Sequence, residues 1–318
     1  MTPQDSVRQR IIEFIGLQPI AEPPIVRVVD RHAEDGYARS LVQYDVPDGD
    51  VVDAFIFEPS RPSATILALH QHNSQWTIGK SEIAGFKGDP LQAFGPALAR
   101  RGVAVLAPDT IGFESRLRGA SEGIGLAPQL TRPGGSTEGW LQYYNQMAHR
   151  LVQGDLLIRK MLADSMAAIS VARGSSTGGL PVGVIGHSLG GGLALFVGAL
   201  DTRVSFTCSS GAVCSYRHKL AHGGGLEMSL VIPGVVSQFD VDDLVRCVAP
   251  RRILVVSAEH DSASADADHV VNRARAAFEV MNCIGHLEHL RVPGGHALDE
   301  RRFNAIVDWT AARGQLGG

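Results

Sequence analysis

Apolar and polar positions along the chain follow two different periods. Between residues 6 and 16, Val7, Ile11, Ile12 and Ile15 recur at helical spacing and Gly16 closes the stretch, which predicts a short amphipathic helix packed on the body. From 25 to 57 the pattern is that of strands: Ile-Val-Arg-Val-Val at 25–29, Leu-Val-Gln-Tyr-Asp-Val at 41–46 and Val-Val-Asp-Ala-Phe-Ile-Phe at 51–57. Pro47-Asp-Gly-Asp between the last two supplies turn chemistry, so this part reads as an antiparallel opening.

Beyond residue 60, short continuous apolar runs alternate with helical stretches. The runs lie at 65–69, 103–107, 182–185, 204–207 and 253–256, with a final strand at 286–292 and a helix at 299–312. A strand covered on both faces needs this near-continuous apolarity. The expected fold class is α/β: a mostly parallel central sheet of about eight strands with helices on both faces and antiparallel strands at the N-terminus. A Gly- and Pro-rich stretch at 119–139 reads as a long loop leading into one helix at 140–172. Residues 1–318 are expected to form a single domain, with 112–150 and 211–247 as insertions that shape a substrate site.

Composition narrows the function classes. A 318-residue chain with 44% hydrophobic residues has enough apolar surface for a substantial core. The net charge of -4 is spread over a chain that is only 19% charged, without long basic or acidic runs, so neither nucleic acid nor an anionic membrane is an expected partner. The first residues lack the basic-then-apolar order of a secretory signal, and no stretch is apolar for long enough to span a bilayer. A cytoplasmic protein is the expectation, and the oligomeric state is not readable. Cys208, Cys214, Cys247 and Cys283 form no C-x-x-C pair and read as buried thiols; pairing of Cys208 with Cys214 would need an oxidising compartment.

The pattern G-x-S-x-G occurs around Ser121, Ser176 and Ser188. The pattern becomes chemical only on a strained strand-to-helix turn, where the flanking glycines allow close passage of backbone. Only Ser188 has that setting, between the apolar run at 182–185 and the helix-like Leu189-Gly-Gly-Gly-Leu-Ala-Leu-Phe. Ser121 and Ser176 read as loop serines, and a glycine-rich helix start that binds an anion is the bland alternative for Ser188. A serine nucleophile needs a histidine to take its proton and a carboxylate to orient that histidine. Asp261 follows the run at 253–256 and is the expected acid, ahead of Glu259, Asp266 and Asp268; His296, in the loop after the last strand, is the expected base. Backbone N–H groups of Leu189 and of His72, or its neighbour Gln71, are the expected oxyanion donors. His70-x-His72 and His286-x-x-His289 contain metal-ligand residue types, but no helix brings a pair and a third ligand together, so no metal and no other cofactor is expected.

These residues carry a resemblance. Gly186-His-Ser-Leu-Gly-Gly, Glu259-His-Asp and Gly294-Gly-His resemble the dienelactone hydrolase-like and acetyl xylan esterase-like branch of the α/β-hydrolases. The likeness extends over Leu69-His-Gln-His, Gly79-Lys-Ser-Glu82, Ala107-Pro-Asp-Thr-Ile-Gly-Phe-Glu and Val248-Ala-Pro-Arg-Arg. It implies the α/β-hydrolase fold and ester hydrolysis without a cofactor. Dienelactone hydrolases proper carry a cysteine where this chain has Ser188.

The resulting expectation is a serine hydrolase that acts on a small-molecule carboxylic ester, thioester or lactone through an acyl-serine intermediate. An acyltransferase or a peptidase would use the same intermediate. A non-catalytic small-molecule binder would have no need of Ser188, Asp261 and His296 together. Trp76, Trp140, Tyr143, Tyr216 and Met228 fall in segments inserted after strands and are the expected pocket residues, whereas Tyr144 and Met147 read as helix packing.

Overall fold

The antiparallel opening is built from β1 (Val26–Glu34), β2 (Tyr37–Asp45) and β3 (Val51–Pro59). The computed structural model that defines these elements describes residues 2–19, 23–117, 136–174 and 179–314. β3 pairs antiparallel with β5 (Ala104–Pro108), and from there the sheet is parallel through β4 (Thr65–Leu69), β6 (Val182–His187), β7 (Phe206–Ser210), β8 (Arg252–Ala258) and β9 (Leu287–Val292). Among the described residues nine strands lie in the order β1-β2-β3-β5-β4-β6-β7-β8-β9. All nine residues of the outermost strand β1 are exposed, and its register with β2 slips between Val28 and Asp30.

Period-two alternation within each apolar run sends side chains to two separate cores. Leu67 and Leu69, Val182 and Val184, Ile253 and Val255 enter the core on one face. Their neighbours Ile66 and Ala68, Ile185, Leu254 and Val256 enter the core on the other. The helices are α1 (Pro3–Ile15), α2 (Lys80–Ile83), α3 (Phe94–Ala99), α4 (Ser136–Val152), α5 (Leu157–Gly174), α6 (Leu189–Leu200), α7 (Tyr216–His222), α8 (Val241–Val248), α9 (Ala267–Val280) and α10 (Glu300–Gly314). Side chains of α1, α5, α6, α8 and α9 fill the first core, and those of α3 and α10 fill the second. No helix among the described residues is long and apolar enough to cross a membrane.

α1 starts earlier than its apolar stripe because Thr2 and Asp5 form a capping box and Pro3 occupies the first turn. The single helix expected at 140–172 is two helices. Gly154, at φ 74°, stops α4, and the Asp155 carboxylate accepts from the Leu156 N–H while pairing with Arg150 and Arg159. β7 runs on through Ser209 and Ser210, past the apolar run at 204–207, because both hydroxyls find buried partners: Ser209 Oγ donates to the Gly191 carbonyl at 2.8 Å, and Ser210 Oγ lies 3.0 Å from His187 Nδ1. All four cysteines are free, so Cys208 and Cys214 are not paired.

The strand order reverses direction at one point of the sheet. After β4 the chain goes to β5 on one side and then crosses to β6 on the other, which opens a crevice at the carboxyl ends of β4 and β6. Both the turn at Ser188 and the loop that begins at His70 emerge there.

Candidate active site

Ser188 sits between β6 and α6 at φ 57°, ψ -121°, a backbone conformation that costs a serine about 1–3 kcal/mol. The glycines on either side make the turn sterically feasible. A Cβ on Gly186 would stand 2.3 Å from the carbonyl of Gly190, and one on Gly190 would stand 2.0 Å from the Leu69 carbonyl oxygen. The turn is pinned by the Ser188 N–H, which donates to the Ser210 carbonyl at 2.9 Å. The side chain is half-buried at the mouth of the crevice.

The structure brings Ser188, His296 and Asp261 together across more than a hundred residues of sequence. His296 Nε2 lies 2.8 Å from Ser188 Oγ, and its Nδ1 lies 2.9 Å from Asp261 Oδ1. The Asp261 carboxylate is buried and also accepts from the Ala263 N–H at 2.9 Å and from Ser264 Oγ at 2.7 Å. Burial alone would raise its pKa, but donation from His296, Ser264 and Ala263 outweighs that and holds it at about 2. An ionised Asp261 can only accept, so the imidazole proton belongs on Nδ1. Nε2 is then left as an acceptor facing the serine hydroxyl.

A further histidine belongs to this cluster, and the sequence reading did not single it out. His187, in the same Gly-His-Ser motif, is fully buried, and its ring lies 5.0 Å from that of His296 at an interplanar angle of 35°. Burial, reinforced by the Arg302 charge and by repulsion from His296 whenever that ring is protonated, pushes its pKa down to about 3, so it is a neutral wall behind His296. The signal was available in the alternation of β6, which turns residue 187 to the same side as Ile185.

The loop after β4 is held by buried polar contacts. His70 Nδ1 donates to the Gln71 carbonyl at 2.9 Å and its Nε2 accepts from the Thr110 N–H at 3.1 Å. The Gln71 amide donates to Glu82 at 2.9 Å, and His72 Nδ1 accepts from the Ser74 N–H at 2.9 Å, with Asn73 and Ser74 at φ 42° and 51°. Further along, the buried Lys80 ammonium lies 2.6 Å from Asp109 and 3.0 Å from Glu114. Glu114 also takes the N–H groups of Gly79 and Ser81, each at 2.9 Å, and Asp109 takes the N–H of Lys80 at 2.7 Å. Burial and the Glu114 charge raise the pKa of Asp109, whereas Glu114, despite its own burial, is held low by the Ser81 N–H and Lys80. The loops after β4 and β5 are thereby one rigid unit. The close pass of Gly190 against the carbonyls of Leu69 and His70 sets that unit, with Gln71 and His72, beside the first turn of α6 where Leu189 begins.

The aromatic residues divide. Trp76 and Tyr143 are buried with their rings 5.1 Å and 5.4 Å from that of His72, and the Tyr143 hydroxyl donates to Glu227 at 2.6 Å. Trp140 is 44% exposed and stacks on Tyr144 at 5.3 Å. Met228 and Met147 are partly buried against the core. Tyr216 is buried in the larger core and lines a small cavity with Leu195, Phe196 and Leu244. Ser121 and Ser176 lie outside the described residues, as does much of the stretch at 119–139.

Among the described residues, none of the rival carboxylates takes the place of Asp261 on His296. Glu259 is exposed, and Asp266 accepts from Ser215. A second serine–histidine–aspartate set, Ser257, His289 and Asp268, spans β8, β9 and α9, with His289 Nε2 2.8 Å from Ser257 Oγ. That serine is fully buried within a regular strand, so no carbonyl substrate reaches it. His286 Nδ1 donates to the Pro250 carbonyl at 2.6 Å, and no group of three metal-ligating side chains occurs among the described residues.

No family model matches the sequence. A provisionally assigned hydrolase, YtaP of Bacillus subtilis (strain 168), is 24% identical over 264 residues, 80% of each chain. A provisionally assigned acetyl xylan esterase of Bacteroides fragilis NCTC 9343 superposes with a TM-score of 0.71 at 16% identity, over 91% of this chain and 74% of that one. The glucuronoyl esterase of Solibacter usitatus gives 0.68 at 16% identity, over 99% and 92%. The chain has the α/β-hydrolase fold. In an α/β-hydrolase the nucleophile elbow follows a central strand and the partners come in the chain order serine, acid, histidine, which is the order of Ser188, Asp261 and His296 here.

Proposed function

We propose that this protein is a carboxylic ester hydrolase that works through an acyl-serine intermediate on Ser188. The observation that carries the reading is the unbroken hydrogen-bond chain from Ser188 Oγ through His296 to the buried Asp261, on a strained turn that presents the hydroxyl. Support comes also from the names of the similar proteins, which include a hydrolase, an acetyl xylan esterase and a glucuronoyl esterase.

In this mechanism Ser188 Oγ attacks the ester carbonyl carbon while His296 Nε2 takes the hydroxyl proton, and ionised Asp261 stabilises the imidazolium that forms. The carbonyl oxygen becomes an oxyanion facing the N–H of Leu189 and that of His72, or of Gln71 beside it. Collapse expels the alcohol, which receives the proton from His296. Water, deprotonated by the same nitrogen, then attacks the acyl-serine; the acid leaves and Ser188 is regenerated. No cofactor enters these steps. Thioesters and lactones would follow the same path.

The substrate class is a small-molecule ester, esters of carbohydrates included, and Trp76, Trp140, Tyr143, Tyr216 and Met228 are the proposed walls of its pocket. The whole chain is read as one domain in which 112–150 and 211–247 shape that pocket. A reducing, cytoplasmic setting is proposed from the four free thiols. A fluorophosphonate probe should label Ser188 in the folded protein, and p-nitrophenyl esters of short acids should turn over with Ser188→Ala inactive. Undiminished turnover in that variant, or no adduct in the wild-type protein, would overturn the reading.

A further inference from the structure

We propose that Arg302 is the positioning residue for the general base, clamping the loop that carries His296; this inference rests on the catalytic reading above. His296 is preceded by Gly294 and Gly295, Gly294 at φ 101°, and its side chain is 43% exposed. Two consecutive glycines leave a loop with large conformational freedom, which is a poor support for a group that must meet a hydroxyl within a few tenths of an ångström.

Arg302 supplies the missing rigidity. It lies in the first turn of α10, is 1% exposed, and is held at its backbone by Asp299, whose carboxylate accepts the Arg302 N–H at 2.7 Å. Its guanidinium donates to the carbonyls of Gly295 at 2.9 Å, His296 at 2.9 Å and Ala297 at 3.4 Å. The peptide planes on both sides of the His296 Cα are thereby fixed, and with them the direction in which the imidazole leaves the backbone. The loop is tied from its other end as well, because the His260 N–H donates to the Gly294 carbonyl at 2.9 Å. The acid-bearing and base-bearing loops are thus stitched to each other and anchored on α10.

The chemistry of the clamp argues against a packing role. Burying a guanidinium is expensive, and an apolar side chain of similar volume would fill the same space more cheaply. Burial lowers the pKa of Arg302, and the Asp261 and Asp299 carboxylates offset only part of that. What an apolar residue cannot do is satisfy three consecutive carbonyls with one planar, forked donor. A lysine ammonium, a single point of donation, would reach fewer of them.

The test uses the full-length protein with Arg302→Met, Arg302→Lys and Arg302→Ala. Arg302→Met should lower kcat by about a hundredfold with KM within about twofold of wild type, and Arg302→Lys should fall between. Added guanidinium ion should restore part of the kcat of Arg302→Ala, which loss of packing alone would not produce. A second readout is independent of turnover: the downfield proton resonance of His296 Nδ1–H bound to Asp261 should be present in wild type and broadened or lost in the variants. Wild-type kcat and an unchanged resonance in Arg302→Met would overturn the inference, as would a kcat loss in Arg302→Ala that guanidinium leaves untouched. If Arg302→Met does not fold, the Lys variant and the rescue of the Ala variant decide. Failure of the catalytic reading itself is seen separately, as an absence of turnover and labelling in wild type, and the resonance then still reports on the clamp.

Discussion

Gly190→Ala is a one-methyl perturbation whose consequence follows from the backbone clearances around it. The added Cβ would lie 2.0 Å from the Leu69 carbonyl oxygen, 2.6 Å from its carbon and 2.8 Å from the His70 oxygen, against 3.4 Å where van der Waals contact becomes ordinary. The shortfall is about 1.4 Å, and every obstructing atom is backbone, so no side chain can swing aside. Either α6 shifts away from β4 or the β4 loop shifts away from α6, and each motion separates the proposed oxyanion donors of Leu189 and His72. Overpacking of this kind costs about 1–3 kcal/mol of stability. A displacement on the order of 1 Å at the reacting centre costs about a hundredfold in rate. The control is Gly192→Ala, two residues on, where the new methyl would meet nothing nearer than Leu230 Cδ1 at 3.7 Å. That variant should keep wild-type kcat and gain about 0.5–1 kcal/mol from helix propensity. The assay is kcat and KM on a chromogenic short-chain ester alongside a urea unfolding curve for each protein. Wild-type kcat in Gly190→Ala, or equal damage from both substitutions, would refute the steric argument.

Lys80→Met should destabilise the fold by about 3–5 kcal/mol, read from chemical denaturation, because it leaves Asp109 and Glu114 buried without their cation; a loss below about 1 kcal/mol would mean that the loops after β4 and β5 do not depend on that centre. For His187 the sign follows from its depressed pKa of about 3: below the ordinary imidazole value of 6.5 the unfolded chain takes up a proton that the folded one refuses. Stability contributed by this group is therefore complete above pH 6.5 and declines as pH falls toward 3. His187→Asn should accordingly flatten the drop in thermal unfolding temperature between pH 7 and pH 5, and an identical drop in both proteins would contradict the assignment.

The framework and the three residues of the candidate triad were legible in the sequence because both rest on local pattern. Runs such as Thr-Ile-Leu-Ala-Leu at 65–69 feed two cores through strict alternation, and the Ser188 turn declares itself by glycines two residues before and after. What the sequence concealed depends on contacts between distant segments. Ser209 and Ser210 look like the end of a strand until Gly191 and His187 are seen to satisfy them. Lys80 and Asp109 are 29 residues apart, and nothing near either one signals a buried pair. Arg302 stands beside Arg301 in what reads as a charged helix face, yet only the fold turns it inward. Tyr216 was expected to line a pocket, as an aromatic in an insertion; its burial in the larger core, where it lines a small cavity with Leu195, Phe196 and Leu244, comes from packing that no local pattern reports.

The outermost strand has a bearing on solution behaviour. Among the described residues β1 is paired on one side only and its nine residues are exposed, so the N–H and C=O groups of its outer edge form a template that another chain could extend. Arg27, Asp30, Arg31 and Glu34 place charge along that edge, and the slip at Val29 bends it out of register. A foreign strand would have to strip water from these charges and match an irregular ladder. The edge therefore resists fibril growth, even though Val26, Val28 and Val29 would by themselves invite it.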